Sequence, residues 1–176
     1  MRWSWIDRIV HFEPEKRMIA VKNVSLGEDH LHDHFAADAQ RDKRVVMPAS
    51  LIIEGMAQTS GLLTGSVSGF CEKVILAKIG LARFDDEAMP GDQLVYDAEL
   101  ERYDAAGSSC RGTISVRRPF AGGPVERPFG EINLLFSHVD ANRSGLTFPT
   151  ENFVFSDNFK GILTAAGLDH LVLNGM

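Results

Sequence analysis

The chain has 176 residues, 44% of them hydrophobic and 24% charged, with a formal net charge of -6. This length suits one domain, or one domain with an appendage, and the composition allows a packed core and excludes wholesale disorder. The acidic balance argues against a nucleic-acid binder, which needs a basic face over the phosphates.

The N-terminus, Met-Arg-Trp-Ser-Trp-Ile-Asp-Arg, lacks the apolar run and small-residue cleavage site of a signal peptide. Trp5 to Val10 and Arg17 to Val24 are apolar enough for two strands, and Glu13-Pro14-Glu15-Lys16 between them reads as the turn of a β-hairpin. Ser25 to Val46 is polar and charged and reads as a long loop, of a length that is usually either functional or disordered.

Pro48 to about Ser68 is the clearest helix. Proline stands at its start, where a missing N–H costs nothing. From Val45 to Cys71 the only charge is Glu54, so the helix is expected to be buried on all sides. Gly55, Ala57, Gly61 and Gly65 are small. Glycine inside a helix costs roughly 1 kcal/mol against alanine, so packing is expected to demand them. Pro48, Glu54, Gln58 and the glycines also break this stretch as a membrane span. The expectation is a soluble cytoplasmic protein without membrane contact.

The pattern then turns to β. Val74 to Phe84, Leu94 to Arg102, Cys110 to Val116 and Gly130 to Val139 read as strands. Pro90-Gly91-Asp92 and Asp104 to Ser109 read as turns, and Ala121 to Pro128 as a loop. A hairpin, a long helix and about four antiparallel strands make an α+β layout with one helix covered by a sheet. This is expected to be a single domain over residues 1–140. Residues 141–176 form a C-terminal extension with Phe148, Phe153, Phe155 and Phe159 and a short helix from Phe159 to Leu168, expected to pack on the domain or on a partner subunit. Cys71 and Cys110 are too few and too far apart for a disulfide framework or a zinc knuckle, and read as free, partly buried thiols of a reducing compartment.

Two chemistries compete in the stretch from Asp29 to Gln58. His30, His32 and His34, with Asp29 and Asp33, offer metal-ligand types. In an extended segment, however, alternation sets the three imidazoles in a row on one face, from which they cannot all reach one ion, and no other ligand cluster is present. No metal site is expected. Glu54 is the more informative residue. A carboxylate two turns into an apolar helix is expected to be desolvated, with its pKa raised toward that of a general acid working near neutral pH. A structural glutamate bonded to backbone or to a tyrosine is the competing reading. His34 lies in the loop leading into the helix, and histidine is the usual base at neutral pH.

His34-Phe35, followed by Met47-Pro48-Ala49-Ser50-Leu51-Ile52-Ile53-Glu54-Gly55-Met56-Ala57-Gln58, resembles the signature of the FabZ-type 3-hydroxyacyl-ACP dehydratases. That family reads roughly His-Phe-Pro-Gly, a spacer, Met-Pro-Gly, four residues, and Glu-Ala-Met-Ala-Gln. The segments Ala20 to Ser25, Ala82-Arg83-Phe84 and Met89 to Leu94 are also similar to it. The resemblance runs from about Ile6 to Val139. It implies a hotdog fold, a long central helix wrapped by an antiparallel sheet. It also implies loss of water from 3-hydroxyacyl thioesters on acyl carrier protein, with His34 as base, Glu54 as acid and the backbone N–H of Ala49 at the thioester oxygen. Phe35, Pro48 and Gln58 would border the substrate, and no cofactor is implied. The two catalytic residues would come from different subunits of a homodimer, with which a trimer of dimers is compatible.

The chain departs from the family pattern in three places. Ala36-Ala37 replaces Pro-Gly, Ala49 replaces a glycine, and Asp38 to Val46 lengthens the spacer. Arg41, Lys43 and Arg44 in this insertion are candidates for docking an acidic carrier protein, against the plainer reading of a solvated loop. Two other functions fit the same residues. One is a hotdog thioesterase in which Glu54 activates water. The other is a non-catalytic acyl-thioester or carrier-binding module with a remodelled loop.

Overall fold

The computed structural model describes residues 4–37, 39, 42–119, 123–139, 155 and 157–171. Strands β1 (Arg8–Glu13) and β2 (Arg17–Asn23) form the expected hairpin. A five-residue helix, α1 (Asp29–Asp33), and the long helix α2 (Ala49–Val67) follow. Then come β3 (Val74–Phe84), β4 (Gln93–Asp104), β5 (Gly107–Arg118) and β6 (Val125–His138). The chain continues into α3 (Asp157–Ala165) and a 3-10 turn, Asp169–Leu171. The six strands make one antiparallel sheet in the order β1-β2-β4-β5-β6-β3. It wraps α2, which packs against β2 to β6. This is the α+β hotdog layout.

The wrapping follows from strand alternation. Leu94, Tyr96 and Ala98 of β4, Cys110, Ile114 and Val116 of β5, and Ile132, Leu134 and Phe136 of β6 are buried in one cluster with Met56, Leu62 and Leu63 of α2. A buried side chain of this kind contributes about 1.5–3 kcal/mol from burial, so this shared face is what holds helix to sheet. Two glycines let the sheet and the C-terminal segment come close to α2. A Cβ on Gly55 would lie 2.5 Å from the Tyr96 ring, and one on Gly65 would lie 2.6 Å from Phe155 and 2.8 Å from Phe70. The expected packing demand is real at these two positions.

Four readings need correction. The segment after Ser25 is not wholly irregular, because α1 interrupts it. The helical turn separates its histidines, so His32 points away from His30 and His34 and the row on one face does not form. Helix α2 is not sealed on all sides. Ala49 and Ser50 are exposed, and Leu51, Ile53, Glu54 and Gly61 are half-buried, because the six-stranded sheet leaves one flank of the helix uncovered. The last two strands also begin earlier than their hydrophobic runs suggest. Asp104 carboxylate bonds to the Ala106 and Gly107 N–H groups shorten the β4–β5 turn, and β6 starts at Val125. Ladder pairing extends a strand past the point where its composition turns polar. Cys110 is buried and Cys71 exposed, both unbridged. Among the described residues no helix is long and apolar enough to cross a membrane.

Candidate active site

Glu54 sits one turn and a half into α2, on the flank the sheet leaves open. It shares a cavity of about 230 Å³ with Ala57, Gln58, Gly61, Leu76 and Phe136. Residues 54, 57, 58 and 61 recur at helical spacing, so they present one stripe of α2 to this space. Gln58 is buried and its amide is divided between two partners. Its Nε2 donates to Glu54 Oε1 at 3.0 Å, and its Oε1 accepts from the backbone N–H of Trp5 at 2.8 Å. The Trp5 tether could not be read from sequence, since its only signal is a polar residue in an apolar run 53 positions away.

The helix N-terminus is built as expected. Pro48 (φ -58°, ψ 137°) is the N-cap, and the first intrahelical bond runs from Leu51 N–H to the Pro48 carbonyl. The N–H groups of Ala49 and Ser50 therefore precede the hydrogen-bonded ladder, at the positive end of the helix dipole. Ala49 borders a second, more open cavity of about 480 Å³ with Phe35, Arg44, Met47, Ile52, Phe84 and Glu87. Pro48 is buried beneath this end.

His34 is exposed at the C-terminal end of α1, edge-on to Phe35 with ring centroids 4.6 Å apart. It does not line the cavity that holds Glu54. Within one protomer the two residues are not brought together. The segment carrying His34 is anchored upstream. Buried Lys22 donates to Glu28 at 2.6 Å and to Asp7 at 3.2 Å, and Glu28 also accepts from Ser25 N–H. His30 packs edge-on against Trp5, and burial holds its pKa below the ordinary imidazole value. His32 Nε2 lies 2.7 Å from the Leu26 carbonyl. The three histidines thus have three separate surroundings. Among the described residues, no group of three or more His, Cys, Asp or Glu side chains gathers around a common point.

Of the basic residues in the insertion, Arg41 lies outside the described residues. Lys43 is exposed. Arg44 is paired with Glu87 and lies over the Phe35 ring at 5.6 Å. Asp85 and Asp86 adjoin that pair, so the rim of the Ala49 cavity carries both signs of charge.

Residues 2–117 match the family model described as a FabA-like domain. The 3-hydroxyacyl-[acyl-carrier-protein] dehydratase FabZ of Acidovorax is 40% identical over 115 residues, which are 63% of this chain and 75% of that one. This chain belongs to the FabZ-type dehydratase family. It spans between 58% and 75% of the length of the curated FabZ relatives it matches. Among solved structures, the dehydratase heterocomplex ApeI:P of Xenorhabdus doucetiae shares the fold at 16% identity, with a TM-score of 0.53 over 80% of this chain and 86% of that one. An acyl-CoA hydrolase mutant from Staphylococcus aureus shares it at 13% identity, with a TM-score of 0.54 over 72% of this chain and 68% of that one. Both Glu54 and His34 fall within the matched residues. α3, and Phe155 before it, fall beyond them.

Proposed function

We propose that this chain is a dehydratase acting on 3-hydroxyacyl thioesters of acyl carrier protein. It works as a homodimer in which Glu54 of one subunit meets His34 of the partner subunit. The observation that carries this reading is a site half built in each protomer. Glu54 is oriented by Gln58 on the open flank of α2, while His34 stands exposed at the end of α1, outside the cavity that holds Glu54. The sheet offers a way to bring two copies together. β3 is an edge strand, and Leu76, Ile79 and Leu81 on it are exposed, as is Leu135 of the neighbouring β6. An unpaired apolar edge is a template for strand pairing, and twofold pairing of β3 with its copy would close it.

In the reaction, the imidazole of His34 takes the C2 proton. The C–H electron pair becomes the C2–C3 double bond, and the C3–O bond breaks as Glu54 gives its proton to the departing hydroxyl. Water and a 2-enoyl thioester leave, with the proton returned from His34 to Glu54 through solvent. The step is redox-neutral, so its balance needs no cofactor. Negative charge develops on the thioester oxygen as C2 loses its proton. The N–H of Ala49 at the free helix end is suited to stabilise that charge. Covering Glu54 with a second subunit would shield the reacting carbons from bulk water. Carrier docking on the loop of Arg41, Lys43 and Arg44 belongs to the same reading. Arg44 is already paired with Glu87, which leaves exposed Lys43 as the described residue best placed to meet an acidic carrier. A cytoplasmic location accords with such a substrate.

The test is a mixed dimer. His34→Ala and Glu54→Gln homodimers are each expected to be inactive. The heterodimer of the two recovers one intact site and with it enoyl formation. A heterodimer as dead as its parents would overturn the shared site. Release of free thiol without enoyl product from the wild-type protein would assign a thioesterase instead. Acyl-thioester binding with neither product would leave a binding module.

A further inference from the structure

The cavity beside Glu54 is closed by residues that the family match does not reach. Phe155 and Phe159 line it together with Glu54, Ala57, Gln58 and Gly61 of α2. Phe155 is buried edge-on to Phe70, with ring centroids 4.8 Å apart, and lies 6.3 Å from Phe159. Leu163 of α3 is wholly buried, and Phe159 and Ile162 pack against the core beside it. The C-terminal aromatic pair therefore has a firm backing. Gly65 leaves the space that Phe155 fills. Gly61, between Glu54 and Gly65, leaves open space: a Cβ there would meet only Phe136, at 4.0 Å.

The stripe has a direction. Glu54 stands at one end and the Phe155–Gly65 contact at the other. Along α2 the cavity runs from Glu54 to Gly61, seven positions on, about 10 Å of axial rise. Past Glu54 and Gln58 its walls are small or apolar, Ala57 and Gly61 on α2 with Val74, Leu76 and Phe136 facing them. The cavity of about 230 Å³ is somewhat larger than the roughly 150 Å³ apolar cavities that hold a benzene ring. It suits a short alkyl chain.

From this arrangement we infer that Phe155 and Phe159 are the floor of the acyl pocket and set the length of chain the site accepts, limiting it to short acyl groups. The inference rests on the acyl-thioester reading of the Glu54 site. The C-terminal extension is then a specificity element. An acyl thioester with its reacting carbons at Glu54 runs its tail along Ala57 and Gly61 and meets the two rings.

The test separates binding from chemistry. Saturated butyryl, hexanoyl, octanoyl and lauroyl thioesters of pantetheine cannot dehydrate, and their binding to the full-length protein is measured by calorimetry. Affinity is expected to climb about fourfold per methylene, the worth of burying one, until the tail reaches the rings, and then to stop rising. Phe159→Ala, the less buried of the pair, moves that break to longer chains. Gly61→Val, which meets no backbone, moves it to shorter ones. Breaks unchanged in both variants, with cooperative thermal unfolding retained, would overturn the inference, as would a wild-type protein that binds none of the series. Dehydration of the matching 3-hydroxyacyl thioesters is assayed separately. If binding shows the break and dehydration is absent, the dehydratase reading fails and the pocket floor stands.

Discussion

Gln58 gives one end of its amide to Glu54 and the other to the backbone of Trp5, so the carboxylate is fixed to the segment that leads into β1. A side chain that donates to Glu54 while its own oxygen is held cannot flip without losing both bonds. This explains why a buried glutamine occupies an otherwise apolar stripe. It also makes Gln58 a positioning residue for the proposed acid.

Gln58→Leu is expected to lower kcat by roughly 10- to 100-fold with a smaller change in KM, because a misplaced acid is costly in the transition state and little felt in substrate binding. It also leaves the Trp5 N–H without its acceptor, at about 1–3 kcal/mol of stability. Steady-state kinetics and urea unfolding separate the two effects. An unchanged kcat would show that Glu54 does not depend on Gln58.

Gly55→Ala is expected to destabilise the protein by about 1–3 kcal/mol, since the new methyl would lie 2.5 Å from the Tyr96 ring and a packed core does not absorb it. Tyr96 is fully buried, its hydroxyl lacks a hydrogen-bond partner, and burial pushes its pKa well above the ordinary phenol value. Replacing the ring in the double variant Gly55→Ala/Tyr96→Leu should therefore recover part of the loss. Additive effects in the double-mutant cycle would show that the two residues do not compete for one space.

Stability should rise with pH through the range just below the ordinary histidine value. Burial lowers the folded-state pKa of His30, with Glu28 opposing. Below the unfolded value of about 6.5 the unfolded chain takes up a proton that the folded chain refuses. His30 thus costs nothing above that value, and stability falls as pH drops from there toward the folded pKa. His30→Phe should flatten this part of the pH profile of the urea midpoint. The same slope in the variant would assign it to another histidine.

The two cysteines should separate by reactivity. Burial pushes the Cys110 thiol up to about 11, while Thr64 and Ser60 pull the other way, and Cys71 is exposed. The thiolate is the reactive form, so a thiol reagent at neutral pH should modify one group quickly in the native protein and the second only on unfolding. Two fast thiols would mean that the Cys110 strand opens readily.

Much of the fold was legible because its signals are local. The apolar run after Pro48, charged only at Glu54, marked α2, and β3 was expected over the same residues the structure shows, since both depend on side-chain patterning within a few residues. The strand ends were harder, because pairing with a neighbour, not composition, sets where β5 and β6 begin. The row of histidines was misread for a related reason: one helical turn at Asp29–Asp33 reorders side chains that an extended segment would align.

The family was legible in the chain order alone, and so were the candidate site residues, a lone glutamate on an apolar helix and a histidine in the loop before it. That Glu54 lies on an open flank of α2, that Gln58 ties it to Trp5, and that Phe155 and Phe159 border the cavity beside it came from the folded arrangement. The physical reason is range. Periodicity is written in neighbouring residues. The surroundings of Glu54 come from Trp5, Phe136 and Phe155, far from it in sequence, and exist only once the sheet has wrapped the helix and brought them to one place.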